Sequence, residues 1–279
     1  MAADPTPAPE GDAIQGLLAA DAASPLDAAG LAELVAVLAK ADRDGEASIF
    51  AARLLKLRPT HKRALRALTR SPRPEVDVIG GWRALAQTAP DDAEPWLQIA
   101  RLASRAKDPR TALEACEEML TRESAQIEAL SLKLAALSAL RMHDEVGSTW
   151  RRLHEADAER ARGILARAAD GADIDTAAAM LGAAGALGAL DADGEHQRLK
   201  LRSRLTMAAY DAELAADDSA AAQNFWRLTR LEPSMADHAD GLKRALARLR
   251  ARIDNAGAAP EAELADAART LVRFEASHG

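Results

Sequence analysis

The sequence predicts an all-α protein, an α-α superhelical solenoid of antiparallel helix pairs. Three observations carry that expectation. About a quarter of the 279 residues are alanine, the strongest helix former. Aromatics make up only 3%, and β-branched residues are sparse, so a large sheet is disfavoured. Short segments with one apolar face end repeatedly in a turn rich in proline or small polar residues. Pro90 and Ser124 mark equivalent turns 34 residues apart, and Pro59 precedes Pro90 by 31.

The elements follow in order. Met1 to Asp12 holds three prolines (Pro5, Pro7, Pro9) and no Lys or Arg, which reads as a disordered lead-in rather than a secretory signal. Leu31, Leu34, Val35 and Leu38 stripe a first helix, which turns at Asp42–Gly45. Its partner carries Ala47, Ala51 and Leu54 and stops before Pro59. In the second pair Ser71-Pro72-Arg73-Pro74 cuts the first helix short, and the other carries Val78, Trp82 and Leu85. The third pair reads Trp96, Ile99, Ala100, Ala103, a turn at Lys107–Pro109, then Ala112, Cys116 and Met119. The fourth reads Leu130, Leu134, Leu137, a turn at His143–Asp144, then Val146, Trp150 and Leu153. Trp82, Trp96 and Trp150 are expected to lie buried between helices.

Beyond them, Asp157–Ala169 and Asp173–Leu190 read as helices separated by Asp170-Gly171. Gly182, Gly185 and Gly188 recur every third residue on the second, marking either close packing or a hinge. The apolar run Ala177–Leu190 is too short to span a bilayer. A last stripe, Leu242, Ala245, Leu246, Leu249 and Ile253, is flanked by Lys243, Arg244, Arg248, Arg250 and Arg252. That basic run either faces water as part of a cap or meets an acidic partner. A final helix is expected from about Pro260 to Glu275. The expected organisation is a lead-in over 1–12, helical repeats over 13–158, an irregular helical connector over 159–201, and a further pair with capping helices over 202–279.

These repeats resemble the tetratricopeptide repeat, a 34-residue helix–turn–helix unit. Trp96, Ala100, the turn at Asp108 and Ala112 fit its pattern in the third unit, and Leu31, Ala47 and Pro59 fit it in the first. Leu205, Ala209, Ala221, Phe225, Leu228 and Pro233 fit it again. Val35 and Leu134 stand where a small residue is usual, and the third unit lacks the closing proline. The resemblance implies a groove lined by the first helix of each pair. Matching positions are Glu94, Leu97, Arg101, Ser104, Arg105, Glu128, Ser131 and Ser138. They include no Lys or Asn, so the family's clamp for chaperone C-terminal carboxylates is absent. Arg101 and Arg105, one helical turn apart, would share a face able to clamp an acidic group.

Composition limits the chemistry. A formal net charge of −7 disfavours a nucleic-acid partner. The single Cys116 excludes an internal disulfide and a zinc site built on several cysteines. It falls at an apolar repeat position and reads as a buried thiol. No two histidines have metal-ligand spacing, and His238, between Asp237 and Asp240, reads as part of a polar helix surface. There is neither a phosphate-cradling glycine loop nor a G-x-S-x-G elbow. No cofactor, no metal and no catalytic residue is expected. The leading expectation is a non-catalytic scaffold or adaptor that binds a peptide or partner helix in its groove. The alternative is a helical accessory region of a larger bacterial enzyme assembly, such as a glycosyltransferase or sulfotransferase. The bias to Arg over Lys and the abundant alanine suggest a GC-rich bacterial genome, and the lack of targeting signals suggests the cytoplasm.

Overall fold

The computed structural model describes residues 10–171, 173–254 and 272. Every regular element among them is helical. The chain divides into two compact units, residues 1–132 and 133–279. The first holds α1 (Glu10–Ala23), α2 (Ala28–Lys40), α3 (Asp44–Leu57), α4 (Lys62–Arg70), α5 (Val78–Thr88), α6 (Glu94–Arg105) and α7 (Pro109–Arg122). The division falls within α8 (Ile127–Leu140). The second unit continues with α9 (His143–Ala156), α10 (Ala158–Asp170), α11 (Ile174–Ala186), α12 (Ala192–Leu214), α13 (Asp218–Leu231) and α14 (Ala236–Asp254). The segment 159–201 thus holds regular helices. The expected lead-in up to Pro9 and the expected helix from Pro260 to Glu275 lie outside the described residues, Val272 excepted, and α1 begins at Glu10.

Two kinds of turn recur along the chain, alternating from α5 to α10, while α11/α12 and α12/α13 both use the first kind. In one, a residue enters the left-handed region: Asp42 (φ 55°), Lys107 (57°), Arg141 (57°), Ala216 (56°) and Gly188 (63°). The next residue's N–H then donates back over six residues, Arg43 to Leu38, Asp108 to Ala103, Met142 to Leu137, Asp217 to Ala212 and Ala189 to Ala184. All five bonds measure 2.9 Å. This is the Schellman closure of a helix C-terminus. Four of these turns join α2 to α3, α6 to α7, α8 to α9 and α12 to α13. The other kind ends on an extended residue: Arg58, Ala89, Glu123, Asp157 and Glu232, with φ from −154° (Asp157) to −128° (Glu123). The hairpin α4/α5 lacks the left-handed turn because prolines 72 and 74 deny the chain both the amide and the helical backbone it requires. Side chains of Asp27, Asp77, Asp108, Asp157, Asp173, Asp191 and Asp217 accept from free N–H groups at the starts of their helices.

Alternation of turns produces repeat packing. Consecutive helices from α1 to α7, and again from α9 to α14, pack against each other, and in the first unit α2, α4 and α6 also touch in series. In the second unit α9, α11 and α13 do so. Small residues sit where hairpin helices meet: Ala100, Ala103, Ala112 and Ala115 in α6/α7, and Ala209, Ala212, Ala221 and Ala222 in α12/α13, all buried. Gly182 of α11 is a close-packing site, since a Cβ there would collide with the Arg230 carbonyl of α13. Larger side chains fill the wider gaps. Trp82 and Trp150 are fully buried with their indole N–H groups satisfied. Trp82 Nε1 donates to Thr69 Oγ1 at 2.9 Å and Trp150 Nε1 to the Ala161 carbonyl at 3.0 Å.

Trp96 departs from expectation and is only half-buried. It lines a cavity of about 420 Å3 with Arg83, Ile99 and Glu118. The Arg122 guanidinium covers its ring at 5.6 Å. Trp226, which the sequence did not single out, is 3% exposed. Cys116 is buried, as expected. No helix among the described residues is long and apolar enough to cross a membrane.

Two stability measurements check this packing. Trp150→Ala should cost about 3–5 kcal/mol in urea unfolding, and Trp96→Ala clearly less. Equal losses would show that the half-buried ring is misplaced. Ala216→Gly should raise stability by about 0.5–1 kcal/mol, because glycine enters the left-handed region without a Cβ clash. A loss on that change would contradict the turn geometry.

Candidate functional site

The expected groove positions of the first unit come together on neighbouring helices, joined by ion pairs. Glu94 opens α6 and receives the Arg66 guanidinium on both carboxylate oxygens. Lys62 Nζ lies 2.9 Å from the same carboxylate and also pairs with Asp92. Two turns further along α6, Arg101 grips Glu128 of α8 bidentately, its Nε donating to Oε1 at 2.6 Å. Glu94 and Glu128 are 34 residues apart, so each acid opens a first helix and binds a cation from the helix before it. The result is a ladder of charge from α4 through α6 to α8.

Electrostatics follow the geometry. The Arg66 guanidinium and, behind it, Lys62 pull the Glu94 carboxyl down to about 2, against the opposing effect of burial. Arg66 and Arg101 are raised by their carboxylate partners. The side chain of Glu94 keeps 24% of its surface and that of Arg101 33%, so the ladder is presented to solvent rather than enclosed.

The other expected positions are placed as follows. Leu97 is half-buried on α6 between the two ion pairs, and Ser104 is exposed. Arg105 is exposed, but its Nη1 donates to the Thr69 carbonyl at 2.6 Å. Arg101 and Arg105 therefore form no open clamp: each guanidinium is already engaged within the unit. Ser131 turns back on its own helix, its Oγ donating to the Ile127 carbonyl at 2.8 Å. Ser138 belongs to the second unit, where Thr176 Oγ1 lies 3.0 Å from its hydroxyl. Lys62 and Arg66 were missed, although Arg66 stands 35 residues before Arg101 at nearly the same repeat position.

The second unit holds a polar cluster that the sequence did not reveal. His143, at the start of α9, is 3% exposed. Its Nε2 lies 3.7 Å from Asp175 Oδ2, and Asp175 Oδ1 accepts from Arg227 Nε at 2.6 Å. Thr176 Oγ1 donates to Asp173 Oδ2 at 2.5 Å and sits 3.4 Å from His143 Nδ1. One donor atom from each of His143, Asp173 and Asp175 lies within 4.8 Å of the others, a set with the nitrogen and oxygen character of a transition-metal site. Arg227 and Thr176 already serve the two carboxylates, and the cluster forms an internal network joining α9, α11 and α13. Trp226 meets the His143 ring edge-on at 6.3 Å. His238, expected on a polar surface, is instead buried, because its helical position faces the interior while Asp237 and Asp240 stay exposed.

No family model matches the chain. No curated protein matches it. Among solved structures it is similar to the MamA RS-1 ArsTM double mutant, with a TM-score of 0.47 and 16% identity over 55% of this chain and 88% of that one. It is also similar to a tetratricopeptide repeat protein from Parabacteroides merdae ATCC 43184, with a TM-score of 0.43 and 14% identity over 85% of this chain and 92% of that one. A third is a chain of Naa15/Naa10 bound to HypK-THB, with a TM-score of 0.43 and 14% identity over 88% of this chain and 39% of that one.

A pH titration checks the ladder. The Glu94 carboxyl is depressed, so its contribution is present above the ordinary glutamate value near 4.5 and is lost as pH falls toward 2. Glu94→Gln should therefore cost roughly 1–3 kcal/mol at pH 6 and almost nothing at pH 2. A pH-independent cost would contradict the pairing with Arg66. By its own alternating turns and hairpin packing, the chain is a tetratricopeptide-like helical repeat protein.

Proposed function

We propose that the protein is a non-catalytic interaction scaffold that takes a peptide or partner helix along α4, α6 and the start of α8. The observation that supports this is the ladder of half-exposed ion pairs, Lys62 and Arg66 with Glu94, then Arg101 with Glu128. It fixes charged side chains of both signs on a solvent-facing surface, with Leu97 set between them. Groups held in place before binding lose less side-chain entropy on binding. Leu97 supplies the apolar contact, and Ser104 and Arg105 extend the face by two further turns. Ser131 and Ser138 are too engaged with neighbouring groups to lead recognition.

The test is affinity capture followed by titration with the captured partner. Leu97→Arg with Ser104→Arg places two bulky charges on one face of α6 and leaves every ion pair of the ladder intact. The doubly changed protein should keep its melting temperature and lose roughly tenfold or more in affinity, as for the central contacts of an interface. Unchanged affinity would remove α6 from the binding surface. Turnover of a substrate by the isolated protein would overturn the scaffold reading.

A further inference from the structure

Helix α12 is the longest of the described helices, with 23 residues, and the other described residues cover it mainly along one side. Leu205, Ala209 and Ala212 are buried, and within the second unit it packs against α13 and more lightly against α11. The opposite side carries Ser203, Met207 and Leu214, with Tyr210 at its border, at spacings of four, three and four that hold one face of a helix; the Tyr210 ring also meets Phe225 of α13 edge-on at 5.7 Å. Three of these are large and exposed: Met207 at 65%, Tyr210 at 47% and Leu214 at 88%. Arg204 and Asp211 flank the stripe on the same edge, both exposed, and neither forms an ion pair among the described residues. Elsewhere in the second unit, Arg198, Arg202, Arg227, Arg230 and Arg248 all hold carboxylates.

We propose that this face of α12 pairs with the same face of a second copy of the chain, antiparallel, about a twofold axis at Met207. The charges select the occupant. Antiparallel pairing centred on residue 207 sets Arg204 level with residue 210 of the second copy, one residue from its Asp211 and on the same edge of the seam. Symmetry makes that pair twice, so both unpaired charges find partners of opposite sign. A purely acidic or purely basic partner would satisfy one and repel the other. Met207 meets Met207 of the second copy at the centre, Ser203 lies level with Asp211, and the stem of Lys200 covers Leu214. The seam is one helix wide and smaller than the roughly 800 Å2 per partner of stable complexes, so association is expected in the micromolar range.

Sedimentation of the full chain across a concentration series, at low and high salt, tests the proposal. A reversible dimer, weakened by salt, is expected. Arg204→Asp and Asp211→Arg should each weaken it roughly tenfold or more, since each sets like charges opposite one another twice. The combined change, Arg204→Asp with Asp211→Arg, restores the complement and should recover the dimer to within about threefold. Met207→Cys supplies a second reading, because Cys116 is buried and cannot compete. Mild oxidation should link two copies of that variant, whereas Leu199→Cys, eight residues from the twofold and so far from its own counterpart, should not. A monomer at all concentrations would leave the stripe to a different protein and overturn the proposal. So would a dimer indifferent to both single changes, or one that the combined change fails to recover. All readouts are of mass, so they are independent of whether α6 binds a partner.

Discussion

The architecture depends on one local constraint, the left-handed residue that closes the hairpins. At Asp42, Lys107, Arg141 and Ala216 the backbone enters a region costing roughly 1–2 kcal/mol for a residue with a Cβ. The return bond from the following N–H satisfies a helix-end carbonyl, and the aspartates at 108 and 217 then cap the next helix. The reversal of direction is thereby fixed within two or three residues. Alanines at the crossing can then bring the two helices into close contact along their length.

From that constraint follows the placement of charge. Because α4, α6 and α8 leave equivalent turns, the acid at the start of one helix falls opposite a cation of the helix before it. Glu94 with Arg66 and Glu128 with Arg101 are the same contact in successive repeats. Each exposed pair adds little stability alone. In the proposed function, their value lies in holding long side chains still before a partner binds. In the second unit the corresponding polar contacts turn inward, around His143, Asp175 and Arg227.

Most of the helices were legible in the sequence because the amphipathic period and the breakers are local signals. Trp82 and Trp150 were placed correctly for the same reason: each lies on the apolar stripe of its own helix. Trp96 was not, because it borders a cavity lined from α5, α6 and α7, and the pattern of its own helix does not display that cavity. Glu94, Arg101 and Glu128 could be placed on first helices by spacing, yet their mutual pairing needs the offset between helices, which the sequence does not display. The His143 cluster joins residues more than thirty positions apart, and His238 shows how a polar neighbourhood in sequence can surround a buried side chain.

The central claim is that alternating turns, rather than helix propensity alone, set the repeat. Native-state hydrogen exchange at the amides of Arg43, Asp108, Met142, Ala189 and Asp217 tests it most directly. These N–H groups lie just past the helix ends, where open loops would exchange freely. The account predicts protection comparable with the interior of the hairpin that each one closes. Exchange at the rate of unstructured loop amides at these five positions would contradict it.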